Sequence, residues 1–204
     1  MSVHLEYDLG KFINGKLYNY QKNHTNRLIN IIKQNNAVLD ASDTGTGKTY
    51  TAIAACKFLK LKPIIICPKA IINNWKEVGK LFGVQITFVV NYETIKMGNY
   101  YSSTGDRIKC PYINLVEEDG NTYYDWVVTK DHIFIFDEVH KCAERRTQNS
   151  ELLFSAKVSK APVMILSATI ADRPERFMLF FYILNFIDPV QTEEDQISFT
   201  PLNI

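Results

Sequence analysis

The stretch Asp40-Ala-Ser-Asp-Thr-Gly-Thr-Gly-Lys-Thr49 constrains this chain more than any other. It follows a short apolar run, Ala37–Leu39, and opens Thr49–Leu59, where Ile53, Cys56 and Leu59 recur at intervals of three, as on one helix face. Strand, glycine loop and helix in that order make a phosphate cradle. The glycines let successive N–H groups turn toward one anion, and the helix N-terminus adds partial positive charge there. A lysine reaches the terminal phosphates, and a threonine hydroxyl can ligate Mg²⁺. Thr44, Gly45, Thr46, Gly47, Lys48 and Thr49 are therefore the candidate nucleotide-binding residues. The strict pattern G-x-x-x-x-G-K-[ST] places glycine at position 42, where this chain has Ser42. The bland alternative, a glycine-rich turn with an incidental lysine, is disfavoured by the flanking strand and helix.

Around this loop, short apolar runs alternate with helical patterns, as in a parallel α/β sheet. Strands are expected at Ala37–Leu39, Ile64–Cys67, Ile86–Val90, Ile133–Phe136 and Val163–Leu166, and helices at Leu28–Lys33, Thr49–Leu59, Ile71–Phe82, Ser150–Val158 and Pro174–Phe186. Most of the runs lack polar alternation, which predicts a mainly parallel sheet with helices on both faces. Residues 97–130 break the rhythm. They are polar and tyrosine-rich, and Asn114–Val128 reads as a β-hairpin insertion turning at Asp119-Gly120. The insertion is either a surface elaboration or, through Tyr123, Tyr124 and Trp126, a platform for stacking bases.

At 204 residues the chain fits one domain. No apolar run approaches the ~20 residues of a membrane span, so no membrane partner is expected. Cys56, Cys67, Cys110 and Cys142 show no C-x-x-C spacing, which argues against a zinc site or a disulfide framework. A soluble, intracellular protein is the expectation. The net charge of +1 gives no nucleic-acid signal by itself.

The second chemical element is Ile133-Phe-Ile-Phe-Asp-Glu-Val-His140. Four apolar residues ending in two carboxylates describe a buried strand that delivers acids to the C-terminal edge of the sheet, where ligands of open α/β sheets bind. Asp137 is placed to hold Mg²⁺ opposite Thr49, and Glu138 to orient and deprotonate an attacking water. Pro68 and Lys69 follow another strand end, where N–H groups and a cation could meet a nucleic-acid backbone. Trp75, on an amphipathic helix, reads as core.

Asp137-Glu-Val-His140 resembles the DEAD/DEAH-type box of superfamily 2 helicases and translocases, here a DEVH box. The phosphate loop of that superfamily commonly reads A-x-T-G-x-G-K-T, which Ser42–Thr49 matches apart from Ser42. Leu166-Ser-Ala-Thr169 is similar to the motif that couples ATP hydrolysis to movement, and Leu17-Tyr-Asn-Tyr-Gln21 resembles the upstream glutamine motif. Within the superfamily, Cys67–Glu77, Asn91-Tyr-Glu-Thr94 and Thr169–Phe177 leading to Pro189 resemble segments of the Swi/Snf-type double-stranded DNA translocases.

This resemblance implies a RecA-like P-loop NTPase lobe over residues 1–189, with residues 190–204 starting a linker to a second RecA-like lobe of a longer chain. It implies ATP and Mg²⁺ as cofactors, with Lys48 on the β- and γ-phosphates, Thr49 and Asp137 on Mg²⁺, Glu138 on water and Gln21 on the adenine edge. His140, Ser167 and Thr169 would link the ATP site to movement, and Pro68, Lys69 and Tyr92 would meet nucleic acid, with a purely structural role as the alternative for Tyr92. DNA is the favoured partner and RNA a possible one. The rival readings are a strand-separating helicase built on the same lobe and a non-hydrolysing nucleotide-dependent scaffold. Intact Lys48 and Glu138 argue against the scaffold.

Overall fold

The computed structural model describes residues 5–13, 15–144, 147–169, 177–191 and 197–201. In chain order the strands are β1 (Ala37–Asp40), β2 (Lys62–Cys67), β3 (Phe88–Asn91), β4 (Asn99–Tyr101), β5 (Arg107–Lys109), β6 (Ile113–Glu118), β7 (Asn121–Trp126), β8 (His132–Asp137), β9 (Val163–Leu166), β10 (Ile187–Gln191) and β11 (Ile197–Pro201). The α-helices are α1 (Gly10–Ile13), α2 (Asn19–Asn35), α3 (Lys48–Leu59), α4 (Ile72–Phe82), α5 (Tyr92–Ile95), α6 (Gln148–Val158) and α7 (Met178–Ile183).

One five-stranded sheet, in the order β1-β9-β8-β2-β3 and parallel throughout, organises the chain. Its strands are apolar without alternation because both faces are buried. Odd and even positions then go to opposite sides. Ile64, Ile66, Phe134, Phe136, Val163 and Ile165 pack with Leu152, Leu153, Phe180 and Ile183 of α6 and α7. Ile65, Ile133, Ile135, Met164 and Leu166 pack with Leu28, Ile29, Ile53, Trp75 and Phe82 of α2, α3 and α4. Helices therefore cover both faces, as the continuous apolar runs require.

The 97–130 insertion forms two antiparallel ribbons, β4–β5 and β6–β7. Asp119 and Gly120 both take positive φ, 49° and 75°, as a two-residue turn matched to the strand twist demands. Alternation along β7 decides the fate of its aromatics. Tyr124 and Trp126 point inward into the core, and the Trp126 indole N–H donates to Ser155 Oγ on α6 at 3.0 Å. Only Tyr123 of the three is exposed, so the alternative of a platform made by all three aromatics is not supported: two of them hold the ribbon to the domain.

Three further expectations are corrected. β3 begins at Phe88, leaving Ile86 and Thr87 outside it. The expected helix Leu28–Lys33 is the second half of the 17-residue α2, whose buried face begins with the polar Gln21 and Thr25. The expected helix Pro174–Phe186 is described only from residue 177, where α7 ends at Ile183, and 170–176 lie outside the described residues. In the expected linker, residues 197–201 pair with β10 as an antiparallel ribbon. Among the described residues no helix is long and apolar enough to cross a membrane.

Candidate nucleotide-binding site

Strand order builds the site. Because β1, β9 and β8 are neighbours and parallel, their C-terminal ends bring together the glycine loop after Asp40, Ser167 after Leu166, and the pair Asp137-Glu138. The Ser167 N–H donates to the Asp40 carbonyl at 3.2 Å, which carries the β1–β9 ladder one step into the site.

The loop itself needs its glycines. Gly45 and Gly47 have φ of 83° and 89°, conformations that L side chains rarely adopt. A Cβ on Gly45 would meet nothing within 4 Å, so the backbone there faces open space. A Cβ on Gly47 would lie 2.2 Å from Gln21 Nε2. Gly47 caps α3, its carbonyl accepting the Tyr50 N–H at 2.9 Å and the Thr51 N–H at 3.1 Å, and a helix N-terminus of this kind favours an anion. Lys48 Nζ donates to the carbonyls of Ser42 (2.7 Å) and Asp43 (3.0 Å), folding back over the loop it would serve. Thr46 Oγ1 donates to the Asp43 carbonyl at 2.8 Å and lies 3.0 Å from Ser42 Oγ, so Ser42 holds the loop through a side chain that glycine lacks.

Helix α2 grips this loop at two points one turn apart. Gln21 Nε2 donates to the Thr46 carbonyl at 3.1 Å, while its Oε1 accepts the Tyr18 N–H at 3.0 Å and so caps α2. His24, three positions further along α2, sits with Nε2 2.9 Å from Asp40 Oδ2. Burial alone would raise the Asp40 carboxyl, but the His24 and Ser42 contacts outweigh it and hold it below its ordinary range. The i, i+3 spacing of Gln21 and His24 was the available signal. A cavity of about 350 Å³ opens between α2 and the loop, lined by Tyr20, Gln21, His24, Arg27, Ser42 and Thr46 among others.

On the acid side, Asp137 is buried and receives hydrogen bonds at both oxygens. Trp75 Nε1 donates to Oδ2 at 2.9 Å and the Glu138 N–H to Oδ1 at 3.0 Å. Burial still pushes the Asp137 carboxyl above its ordinary value, opposed by these bonds and by the Lys48 charge, which is close enough to act on it. Glu138 has a left-handed φ of 54°, a strained conformation for a non-glycine residue. The resulting bend leaves the Glu138 side chain about 41% exposed. Its Oε2 lies 3.1 Å from His140 Nδ1 and 3.5 Å from the Ser167 hydroxyl; His140 Nδ1 is also 3.2 Å from Ser167 Oγ, which donates to the Thr169 carbonyl at 2.5 Å. Glu138, His140, Ser167 and Thr169 thus form one hydrogen-bonded group.

Of the residues expected to meet nucleic acid, Lys69 is exposed and Pro68 half-buried after β2. Tyr92 is a correction. It is 1% exposed and its hydroxyl donates to the Asp137 carbonyl at 2.9 Å, so it braces the acid strand from inside the core and has no surface to offer.

Mg²⁺ carried by nucleotide phosphates takes only one or two protein donors. The hydroxyl of Thr49 and the carboxylate of Asp137 are the right donors for a hard cation, and the Asp137 carboxylate carries no cationic partner within ion-pair distance among the described residues.

A glycine loop and an acidic strand end, side by side at the C-terminal edge of a parallel sheet covered by helices, define a RecA-like P-loop NTPase lobe. The chain belongs to the family described as "Type III restriction enzyme, res subunit" (ResIII), whose profile matches residues 14–172. It is 46% identical over 180 residues to a protein of Acanthamoeba polyphaga mimivirus named "Putative ATP-dependent RNA helicase L364", a match covering 84% of this chain and 34% of that protein. The chain thus spans about a third of that relative's length. In fold it is similar to the Sulfolobus solfataricus SWI2/SNF2 ATPase core solved in complex with double-stranded DNA, with a TM-score of 0.56 and 17% identity, over 91% of this chain and 38% of that one.

Proposed function

We propose that this chain is the ATP-binding lobe of a nucleic-acid-dependent ATPase that couples hydrolysis to movement on DNA, completed by a second RecA-like lobe. The convergence of the glycine loop, Asp137-Glu138 and Ser167 at one sheet edge carries this reading. In it Lys48 leaves the Ser42 and Asp43 carbonyls for the β- and γ-phosphates, and loop N–H groups surround the anion. Thr49 and Asp137 hold Mg²⁺, which when bound neutralises phosphate charge. Glu138 orients water and takes its proton. His140 and Ser167, bonded to Glu138, connect that base to Thr169. Gln21 keeps one amide hydrogen and one Oε1 lone pair beyond its loop and cap bonds, enough to read an adenine edge beside the cavity. Lys69, with Pro68, faces the nucleic acid.

DNA is favoured by the likeness of the Trp75 and Tyr92 segments to the Swi/Snf branch. The name of the 46%-identical relative favours a second reading, an RNA helicase on the same lobe. ATP turnover of the complete protein, measured with single-stranded DNA, duplex DNA and RNA added separately, distinguishes them. Stimulation by duplex DNA is expected; stimulation by RNA alone would select the second reading, and equal turnover in all arms would remove nucleic acid from the function.

A further inference from the structure

Trp75 is fully buried on α4, and its single N–H reaches the acid at the end of β8, 62 positions away in sequence. A core tryptophan needs some partner for that N–H. Here the partner is a buried carboxylate at the nucleotide-facing sheet edge, and two further donors act on the same residue. The Glu138 N–H holds Oδ1 and the Tyr92 hydroxyl holds the Asp137 backbone carbonyl. With one donor on each oxygen, the carboxylate plane cannot turn, and its remaining lone pairs keep a fixed direction. The donors are also neutral. A lysine or arginine at the Trp75 position would orient the carboxylate equally well but would cancel the charge that attracts a cation. An indole N–H fixes the group and leaves it anionic, and a hydrogen bond to a charged acceptor is roughly twice as strong as one between neutral groups.

We propose that Trp75 is a positioning residue that holds the Asp137 carboxylate in place for a divalent cation carried by nucleotide phosphates. This rests on the reading of Asp137 as a Mg²⁺ ligand. Trp75 touches neither nucleotide nor cation and acts only through Asp137, in the way that outer partners of metal ligands fix their orientation. The bond also joins α4, which begins just after Pro68 and Lys69, to the acid strand.

Trp75→Phe removes the N–H and keeps an aromatic ring. With Mn²⁺ as the probe, cation binding to the protein and a non-hydrolysable ATP analogue is followed by electron paramagnetic resonance. Trp75→Phe is expected to weaken Mn²⁺ binding by about 10–100-fold, the usual cost of losing such a partner, with metal-free affinity for the analogue unchanged. A merely structural role would lower thermal stability and leave this cation affinity alone. Parental Mn²⁺ affinity in Trp75→Phe, with weakened affinity in Asp137→Asn, overturns the proposal alone. Parental affinity in Asp137→Asn overturns the Mg²⁺-site reading with it. Should Trp75→Phe fail to fold, the indole N–H resonance of Trp75, identified in a Trp126→Phe background, decides the matter. It must move in Asp137→Asn and on addition of Mg²⁺ with the analogue; a resonance unmoved by either one overturns the proposal.

Discussion

At the acid end of the site, Glu138 and Asp137 are placed in different environments. Asp137 is held inside by three donors, while one residue later a left-handed φ of 54° turns Glu138 out of the core and into the group formed by His140 and Ser167. This conformation, at a cost of about 1 kcal/mol, joins the end of β8 to a short 3-10 turn at Val139–Cys142. Removing charge from Glu138 should therefore change chemistry without changing the cradle. Glu138→Gln in the complete protein is expected to bind Mg·ATP like the parent and to hydrolyse it at least ~100-fold more slowly, the scale of a lost general base. Single-turnover kinetics checks this, and a parental rate would take Glu138 out of the mechanism. The placement of the glycine loop and these acids at one sheet edge was legible in the sequence, because a strand running through glycines into a helix and an apolar run ending in carboxylates are local patterns. Trp75 was legible as core, but its partner, like those of Tyr92 and His24, was not. Each acts through a partner distant in sequence, Asp137 for the first two and Asp40 for the third, and only the sheet order brings those partners together.

At the scale of elements, the strands were readable because continuous apolar runs have few other uses in a short segment. Val163–Leu166 has the same bounds in sequence and structure. Helix α2 was half hidden, since its first buried positions are Gln21 and Thr25, polar residues that face the loop and the helix backbone rather than solvent. The insertion reversed one reading for a related reason. Alternation along β7 told which aromatics share a face, but not which face meets α6. Trp126 turned out to be an anchor, buried against Phe134 with ring centroids 4.7 Å apart and bonded to Ser155. Trp126→Ala is expected to destabilise the fold by ~3–5 kcal/mol, the range for a large aromatic truncated in a core, as read by urea denaturation. At the opposite edge of the sheet, Lys62 at the start of β2 pairs with Asp131 just before β8 at 2.6 Å. The hydrogen bond from Lys62, with a smaller one from Thr129, lowers the Asp131 pKa to about 2 from its ordinary 3.8. A depressed carboxyl stabilises the fold above its unfolded value and loses that contribution as pH falls through its folded value. The stability difference between the parent and Lys62→Met should thus be present at pH 5 and shrink as pH approaches about 2. A difference that grows on acidification would contradict the pairing.

For the whole molecule, the proposed reading divides phosphate binding from rate enhancement. In the proposed reading the described lobe would supply the groups that bind phosphate and cation, and a second lobe would exclude water and add positive charge at the γ-phosphate. Loss of an arginine finger costs ~10³–10⁵ in rate in related phosphoryl-transfer enzymes. The 204-residue chain alone is accordingly expected to hydrolyse ATP near background and to show no stimulation by duplex DNA; robust DNA-stimulated turnover in a steady-state assay would mean that one lobe suffices. The claim beneath all of this is that the loop from Asp40 to Thr49 cradles ATP. Calorimetric titration of the chain with ATP and Mg²⁺, beside Lys48→Ala, tests it most directly. Measurable binding by the parent is expected, falling at least ~10-fold when the charged contact to the phosphates is lost. Equal affinity of the two proteins, or no binding by the parent, would contradict it.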